Sequence, residues 1–167
     1  KPGDDKECSA QCAAGDQGGC VAVGLLEGEG KVTALDAAHA TRLFETACKA
    51  KFAPGCTHLG EQLLAGTGAA KDERRAAELF RTACTAGDVT GCFRRGELFE
   101  AGRGVTRDDA RAVTLYNQAC DGDEPRACVK LGAMFEYGHG VAKDDARAAA
   151  VYTRACDAGD TKGCNYL

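Results

Sequence analysis

The chain has 167 residues, with 21 basic and 25 acidic side chains, a formal net charge of −4, an aromatic content of 6% and no Trp. This balance gives no indication of a nucleic-acid partner or of an anionic membrane surface, and no apolar run is long enough to span a membrane. So few aromatic residues would supply one large core poorly, whereas a stack of small repeated units can be built from Ala, Leu and Cys.

The N-terminal segment KPGDDKE precedes Cys8, the first of eleven cysteines. The segment has no apolar core of the kind found in signal peptides, and we expect it to be a mature or trimmed N-terminus. Cys8 has no partner in the spacing of the other cysteines, so we predict that Cys8 is the free thiol. We expect a monomer, with a dimer linked through Cys8 as the alternative.

The other ten cysteines form five pairs with an unbroken period. The two cysteines of a pair are eight residues apart, and successive pairs are 36 residues apart. A period of this length predicts a solenoid of repeated units. Metal sites favour C-x2-4-C and catalytic redox pairs favour C-x-x-C, so the C-x7-C pairs are interpreted as structural disulfides. The predicted bonds are Cys12–Cys20, Cys48–Cys56, Cys84–Cys92, Cys120–Cys128 and Cys156–Cys164.

Paired cysteines also carry information about the compartment in which the protein folds. Disulfides form and persist in oxidising environments, so an even set of cysteine pairs indicates export. We therefore expect the protein to be secreted or periplasmic.

Two helices are predicted within the repeat that starts at Cys56. Cys56, Leu59 and Leu63 lie on one face of the first, helix A, and the glycines of GTGAAKD end it. Asp72 is a suitable N-cap for the second, helix B, whose apolar stripe is Ala76, Leu79, Phe80, Ala83 and Cys84.

Glycine recurs once in the interior of each helix A. Glycine costs about 1 kcal/mol relative to alanine in a helix interior, so its recurrence at one repeat position requires a reason. We expect a close approach between helices A and B at this position, which is held by Gly24, Gly60, Gly96 and Gly132.

The chain is predicted to be a single all-α repeat domain over residues 1–167. The predicted divisions are a partial N-terminal repeat at 1–19, full repeats at 20–55, 56–91, 92–127 and 128–163, and the start of a truncated repeat at 164–167.

One position departs from the repeat pattern. Arg95 stands at a repeat position that is apolar in the other repeats, where it is held by Val23, Leu59 and Leu131. We expect its side chain to snorkel past its neighbours rather than to pair with an acid.

The repeated motifs resemble the Sel1-like repeat family, which is related to the tetratricopeptide repeats. Helix A reads CTHLGEQL and CVKLGAMF, the turn reads GRGVTRD and GHGVAKD, and helix B reads AAELFRTACTAG and AAAVYTRACDAG. The cysteine pairs resemble the secreted cysteine-rich bacterial branch, typified by the Helicobacter cysteine-rich proteins. The resemblance implies an α/α solenoid, built as a right-handed superhelix of 36-residue helical hairpins. It also implies protein binding, as a host-interaction protein, an adaptor or an immunity protein that inhibits a toxic effector.

The resemblance also suggests where a peptide or protein partner would bind, because helix A lines the concave face of tetratricopeptide repeats. Among the residues mapped to this groove, Arg94, Arg126 and Lys130 would form a basic band. Phe93 and Tyr137 would be aromatic anchors. The ligand expected from this pattern is an acidic or mixed segment with an apolar side chain. The expected partner-binding residues are His58, Glu61, Phe93, Arg94, Glu97, Arg126, Lys130, Glu136 and Tyr137.

We expect no catalytic residue, no metal and no cofactor, and therefore a binding protein rather than an enzyme. Penicillin binding or β-lactam hydrolysis, to which some cysteine-rich relatives are linked, would require S-x-x-K, but the single serine, Ser9, is followed by AQC. A zinc site would require clustered histidines, but His39, His58 and His139 stand at different repeat positions. The alternative that stays open is a thiol-redox or assembly factor that uses labile cysteines at Cys8 and Cys12.

Overall fold

The computed structural model describes residues 12, 15, 16, 18, 21 and 37–167, and its regular secondary structure in these residues is entirely α-helical. Residues 37–167 form eight helices that alternate between type B and type A. The B helices are α1 (Ala37–Lys49), α3 (Glu73–Thr85), α5 (Asp109–Asp121) and α7 (Asp145–Asp157). The A helices are α2 (Ala53–Ala65), α4 (Val89–Ala101), α6 (Pro125–Tyr137) and α8 (Thr161–Asn165). The predicted all-α class and the repeated helical hairpins are confirmed.

The chain divides into two compact units, residues 1–91 and 92–167. In the first unit α2 packs against both α1 and α3, and in the second α6 packs against α5, α7 and α8. Contacts between helices that are adjacent in sequence are typical of repeat proteins, in which each hairpin buries its neighbour's face. Within residues 37–167, no helix has the length and apolar character that crossing a membrane would require.

The predicted apolar stripe of helix B forms the core of each hairpin. Its aromatic position, which holds Phe44, Phe80, Tyr116 and Tyr152, is at most 3% exposed. In the first unit Phe44 packs in a buried cluster with Val21, Ala40, Ala47 and Leu59. The small residues of the stripe let the aromatic rings approach the neighbouring helix closely.

The interior glycine of helix A lies against this aromatic ring. An ideal Cβ atom added to Gly96 would stand 2.7 Å from Cε1 of Tyr116, and one added to Gly60 would stand 2.7 Å from Cε1 of Phe80. Real Cβ atoms do not approach other atoms so closely. The predicted close approach is confirmed, and the contact is between the helix A backbone and the ring of helix B.

The N-cap predicted at Asp72 is confirmed, and the next two B helices have the same cap. The side chains of Asp72, Asp108 and Asp144 accept hydrogen bonds of 2.9–3.0 Å from the backbone N–H groups of the residues three positions later. Such a cap satisfies an otherwise unpaired donor and stabilises a helix by about 1 kcal/mol. The three aspartates therefore fix where α3, α5 and α7 begin.

Each B helix ends in the same backbone turn, which leads into the following A helix. After α3, the N–H of Asp88 donates to the carbonyl of Ala83 and the N–H of Gly87 donates to the carbonyl of Cys84, which is the Schellman pattern. This pattern needs a left-handed residue, a conformation that costs non-glycine residues roughly 1–2 kcal/mol. Two repeats retain it without glycine, since the left-handed positions are Lys51, Gly87, Asp123 and Gly159.

The shared turn brings the cysteines of each pair together. The Cα atoms are 4.5 Å apart in Cys48–Cys56, 4.8 Å in Cys120–Cys128 and 4.6 Å in Cys156–Cys164, and all three pairs are disulfide-bonded. Cys12, Cys84 and Cys92 are disulfide-bonded as well. The predicted pairing is confirmed for Cys48–Cys56, Cys120–Cys128 and Cys156–Cys164. The predictions for Cys8 and Cys20 lie outside the described residues.

Candidate partner-binding groove

Three successive A helices contribute side chains to one pocket of the second unit, with a volume of about 210 Å³. We call it the A-helix pocket. Five of the nine expected partner-binding residues therefore meet in one place. The lining residues are Phe93, Arg94 and Glu97 from α4, Arg126, Val129 and Lys130 from α6, and Asp160 and Lys162 at the start of α8.

Phe93 is a buried part of this pocket. Its side chain is only 3% exposed, and its ring centroid lies 5.9 Å from that of Tyr116. The guanidinium carbons of Arg126 and Arg94 lie 4.9 and 5.7 Å from the Phe93 ring centroid, close enough for cation–π contacts. The ring thus packs beneath two arginines of the pocket. The role of Phe93 as an aromatic anchor stays a prediction.

The cations of the expected basic band lie along the pocket, but each is paired with a glutamate. Arg94 Nη1 lies 3.0 Å from Glu97 Oε2, and Lys130 Nζ lies 3.0 Å from Glu100 Oε2. These side chains are 30–41% exposed, and ion pairs with such exposure contribute about 0–1 kcal/mol. Two of the three cations of the basic band, Arg94 and Lys130, are therefore held in weak ion pairs and are not uncompensated charges.

Arg126 is held more firmly than the other two cations. Its Nε and Nη2 atoms donate to the two carboxylate oxygens of Glu124 at 2.7 and 2.8 Å. The Glu124 side chain is only 9% exposed and also accepts from the backbone N–H of Arg126 at 3.4 Å. A two-point contact with a buried carboxylate fixes the guanidinium plane. Sequence reasoning did not assign Glu124 a role, although it stands at the repeat position of the aspartates Asp88 and Asp160.

Asp160 and Lys162 also line the pocket and were not expected to. Both lie at the start of the truncated last repeat, which the sequence mapping left out. The repeat spacing contains the signal, because Lys162 stands 36 residues after Arg126 and Asp160 stands 36 residues after Glu124. The Asp160 carboxylate accepts from the backbone N–H of Lys162 at 2.9 Å, which fixes the start of α8.

The comparisons with known proteins agree with the repeat architecture. The Sel1 repeat matches residues 10–52, 53–88, 89–124 and 125–160. The chain belongs to the Sel1 repeat family. No curated protein sequence matches it.

Three solved structures illustrate the similarity. A protective antigen from uropathogenic Escherichia coli strains is 27% identical with a TM-score of 0.85; the match covers 93% of this chain but only 33% of that protein. Helicobacter pylori cysteine rich protein B is 24% identical with a TM-score of 0.62, covering 76% of this chain and 96% of that one. An immunity protein from Pseudomonas aeruginosa is 15% identical with a TM-score of 0.68, covering 95% and 59%. The last two support the fold alone.

Two of these Sel1 repeats contain a buried tyrosine that is bonded to a glutamate sixteen residues earlier. The Tyr116 hydroxyl donates to Glu100, the partner of Lys130, and the Tyr152 hydroxyl donates to Glu136 Oε2 at 2.8 Å. Glu136 was expected to bind a partner, and it makes this internal hydrogen bond instead of lining the pocket.

Burial and the hydrogen bond to Glu100 raise the pKa of the Tyr116 hydroxyl above its ordinary value of 10. Burial and the hydrogen bond to Glu136 likewise raise the pKa of Tyr152. A tyrosine with a raised pKa stabilises the folded state fully below pH 10. That contribution is lost as the pH rises above 10, because the unfolded chain releases the proton first.

Tyr116→Phe should lower the free energy of unfolding at pH 8 by about 1–2 kcal/mol, because the half-buried Glu100 carboxylate loses a donor. The first unit has Leu64 and Phe80 at these two repeat positions. The double variant Tyr116→Phe with Glu100→Leu should therefore recover most of the loss. Urea denaturation at pH 8 and pH 11 measures both effects, and the fall in stability between the two pH values should be smaller in Tyr116→Phe. A full loss retained in the double variant would contradict the assigned role of the hydrogen bond.

The remaining expected site residues are not among those that line the A-helix pocket. Tyr137 is 63% exposed, and the charge of Glu136 and the hydrogen bond to it raise the pKa of Tyr137. In the first unit, His58 Nδ1 lies 3.2 Å from Glu61 Oε2, and the His58 ring packs 5.2 Å from the ring of Phe44. His58 and Glu61 lie one turn apart on α2 and form an ion pair within the first unit when the histidine is protonated.

Arg95 makes a contact that the sequence did not suggest. Its guanidinium carbon lies 5.5 Å from the ring centroid of Phe99, and that of Arg111 lies equally far from the same ring. An arginine in this otherwise apolar repeat position is thus accommodated by a cation–π contact. Within the described residues, no three His, Cys, Asp or Glu side chains are grouped so that they could hold a metal ion.

Proposed function

We propose that this Sel1 repeat protein is an exported scaffold that binds a peptide or protein segment in the groove of its A helices, without catalysis of its own. The observation that supports this most strongly is the A-helix pocket, to which α4, α6 and α8 all contribute. Side chains that recur on successive helices suit an extended ligand, because the ligand meets the same repeat positions at each step.

The cysteines support export. The confirmed disulfides each close a short ring, and bonds of this kind persist in secreted and periplasmic proteins. The similar Helicobacter pylori protein is named for its cysteines, and the similar Pseudomonas aeruginosa protein is named as an immunity protein. An immunity-type inhibitor of a toxic effector is one form that this scaffold role can take, beside host interaction and adaptor roles.

Charge reversal in the A-helix pocket tests the proposal. Arg94→Glu combined with Lys130→Glu should weaken binding of a protein captured from the source organism's envelope or medium by tenfold or more, or roughly 1.4 kcal/mol. The reason is that both cations line the pocket and would become repulsive to acidic groups of a partner. Affinity would be measured by biolayer interferometry with the purified captured protein, after circular dichroism has shown that the variant is folded.

The matched control reverses two exposed lysines outside the pocket, Lys71→Glu with Lys143→Glu, which changes the net charge by the same amount. Their side chains are 56% and 62% exposed, so this variant should bind normally. Arg147 is unsuitable as a control because its guanidinium carbon lies 4.3 Å from the ring centroid of Phe135. If the control weakened binding as much as the pocket variant, overall charge would explain the effect. If only the control weakened it, the partner would bind outside the groove.

A further inference from the structure

We propose that the A-helix pocket receives two side-chain carboxylates of an acidic, extended peptide segment, one at Arg94 and the other at Lys162. This inference rests on the proposed function and names the chemistry of the partner. It follows from the charges that line the pocket, from the strengths of their existing pairs, and from the spacing of the cations along the repeats.

The lining of the pocket is rich in cationic groups. Four of its eight residues are Arg or Lys and two are Asp or Glu, an excess of two positive charges in a chain with a net charge of −4. Glu100 and Glu124 pair with two of these cations but are not lining residues. They reduce the net charge of the region, yet four of the six charged side chains that line the pocket are cations.

Lys162 is the cation that can bind a ligand without losing an existing partner. Its side chain is exposed, and no carboxylate in the described part of the chain forms an ion pair with its Nζ atom. Its backbone is held in place by Asp160. A ligand carboxylate at Lys162 therefore gains a charge-assisted hydrogen bond, and no internal ion pair has to break.

The ion pair between Arg94 and Glu97 can be exchanged at little cost. Arg94 and Glu97 lie one turn apart on α4, and their side chains are 30% and 34% exposed. Such a pair contributes about 0–1 kcal/mol, so a ligand carboxylate can replace Glu97. Arg126 differs, because its two-point contact with buried Glu124 keeps its guanidinium in place. Arg126 is thus fixed, whereas the side chains of Arg94 and Lys162 can reorient toward a ligand.

The cations recur with the repeat, which sets the spacing of matching ligand groups. Arg94 and Lys130 occupy one repeat position on successive A helices, and Arg126 and Lys162 occupy another. Packed helix axes lie about 8–10 Å apart, and a polyproline II segment advances about 9 Å in three residues with the same side facing the surface. Arg94 and Lys162 belong to α4 and α8, two helix steps apart. Acidic residues at positions i and i+6, with an apolar residue at position i+3 to contact Val129 of α6, would match this arrangement.

The test uses a fluorescein-labelled peptide of nine residues, blocked at both ends, with glutamates at positions 2 and 8 and a leucine at position 5. Fluorescence anisotropy should show binding to the wild-type protein that weakens as salt is added. Lys162→Gln and Arg94→Gln should each weaken binding fivefold or more. Lys143→Gln, which removes an exposed cation outside the pocket, should change the affinity by less than twofold.

Two further peptides distinguish the source of the carboxylate. A peptide with glutamine in place of both glutamates should not bind, and the same glutamine peptide with a free C-terminus should not bind either. Equal binding of the blocked glutamine peptide would show apolar recognition, and binding of the free C-terminus alone would show recognition of a terminal carboxylate. Either result would overturn the inference, as would equal losses in Lys143→Gln and Lys162→Gln.

The outcome also separates this inference from the proposed function. If the glutamate peptide failed to bind at about 1 mM while Arg94→Glu with Lys130→Glu still abolished capture of the natural partner, the groove would be the binding site and only the carboxylate chemistry would be wrong. If that charge reversal left capture unchanged as well, the proposed function itself would be wrong.

Discussion

Replacement of Cys120 and Cys128 together by alanine should lower the free energy of unfolding by roughly 2–5 kcal/mol. The bond closes a ring across the turn between α5 and α6 and restricts the unfolded chain. Both cysteines are also buried, at 1% and 3% exposure, so the variant loses packing as well as the covalent link. Urea denaturation without reductant, followed by circular dichroism at 222 nm, measures the loss.

The bond between Cys156 and Cys164 provides a matched control. It has the same sequence separation of eight residues, so its effect on the entropy of the unfolded chain should be equal. Cys164, however, is exposed, and Cys156 is only partly buried. The corresponding double alanine variant should therefore lose less stability, and mild reductant should open this bond before Cys120–Cys128. An equal loss in the two variants would show that burial contributes nothing and that ring closure alone acts.

Gly96→Ala should lower the free energy of unfolding by about 1–3 kcal/mol, although alanine is the better helix former by about 1 kcal/mol. The new Cβ atom would stand 2.7 Å from Cε1 and 2.8 Å from Cδ1 of Tyr116. The ring has little freedom to move, because it is fully buried and its hydroxyl is bonded to Glu100. Either the ring or the helix must shift, and urea denaturation measures the cost.

Gly122→Ala is the control for this prediction, because it makes the same chemical change at an unconstrained position. Gly122 is exposed with φ of −91°, and the corresponding residues in other repeats are Ala50, Ala86 and Ala158. The Gly122→Ala variant should leave the free energy of unfolding unchanged or raise it by up to about 1 kcal/mol. Tyr116→Leu should cost less in the Gly96→Ala background than in the wild type. Additive losses would exclude the clash as the cause.

Together these predictions separate the residues that hold the hairpins together, here called the frame, from the surface on which a partner would bind. Glycine, the aromatic ring and the disulfide fix each hairpin, whereas the pocket depends on ion pairs that differ from repeat to repeat. A substitution in the frame should therefore change stability, and one at Lys162 should change affinity alone. Measuring both quantities for each variant tests that division directly.

The sequence alone determined the hairpins, because the features that build them are local or strictly periodic. Asp72 identifies the start of α3 since a cap acts over three residues, and Cys120 and Cys128 meet since one backbone turn joins them. The recurring glycine predicted a close contact between helices A and B. Only the structure shows that the contact of Gly96 is with the ring of Tyr116. The sequence also contains a signal for the pairing of Tyr116 with Glu100, because the first unit lacks both residues and has Phe80 and Leu64 at these repeat positions.

The tertiary structure alone decided the character of the groove. Whether Arg94 and Lys130 are uncompensated cations depends on side-chain rotamers and on carboxylates that approach from other turns or other helices. The burial of Phe93 likewise depends on Tyr116 and Arg126, which lie 23 and 33 residues away in the sequence. The pattern of residue types specifies which positions face a neighbour. It does not specify which charges meet there, because pairing is set by distances of a few ångströms between groups that only folding brings together.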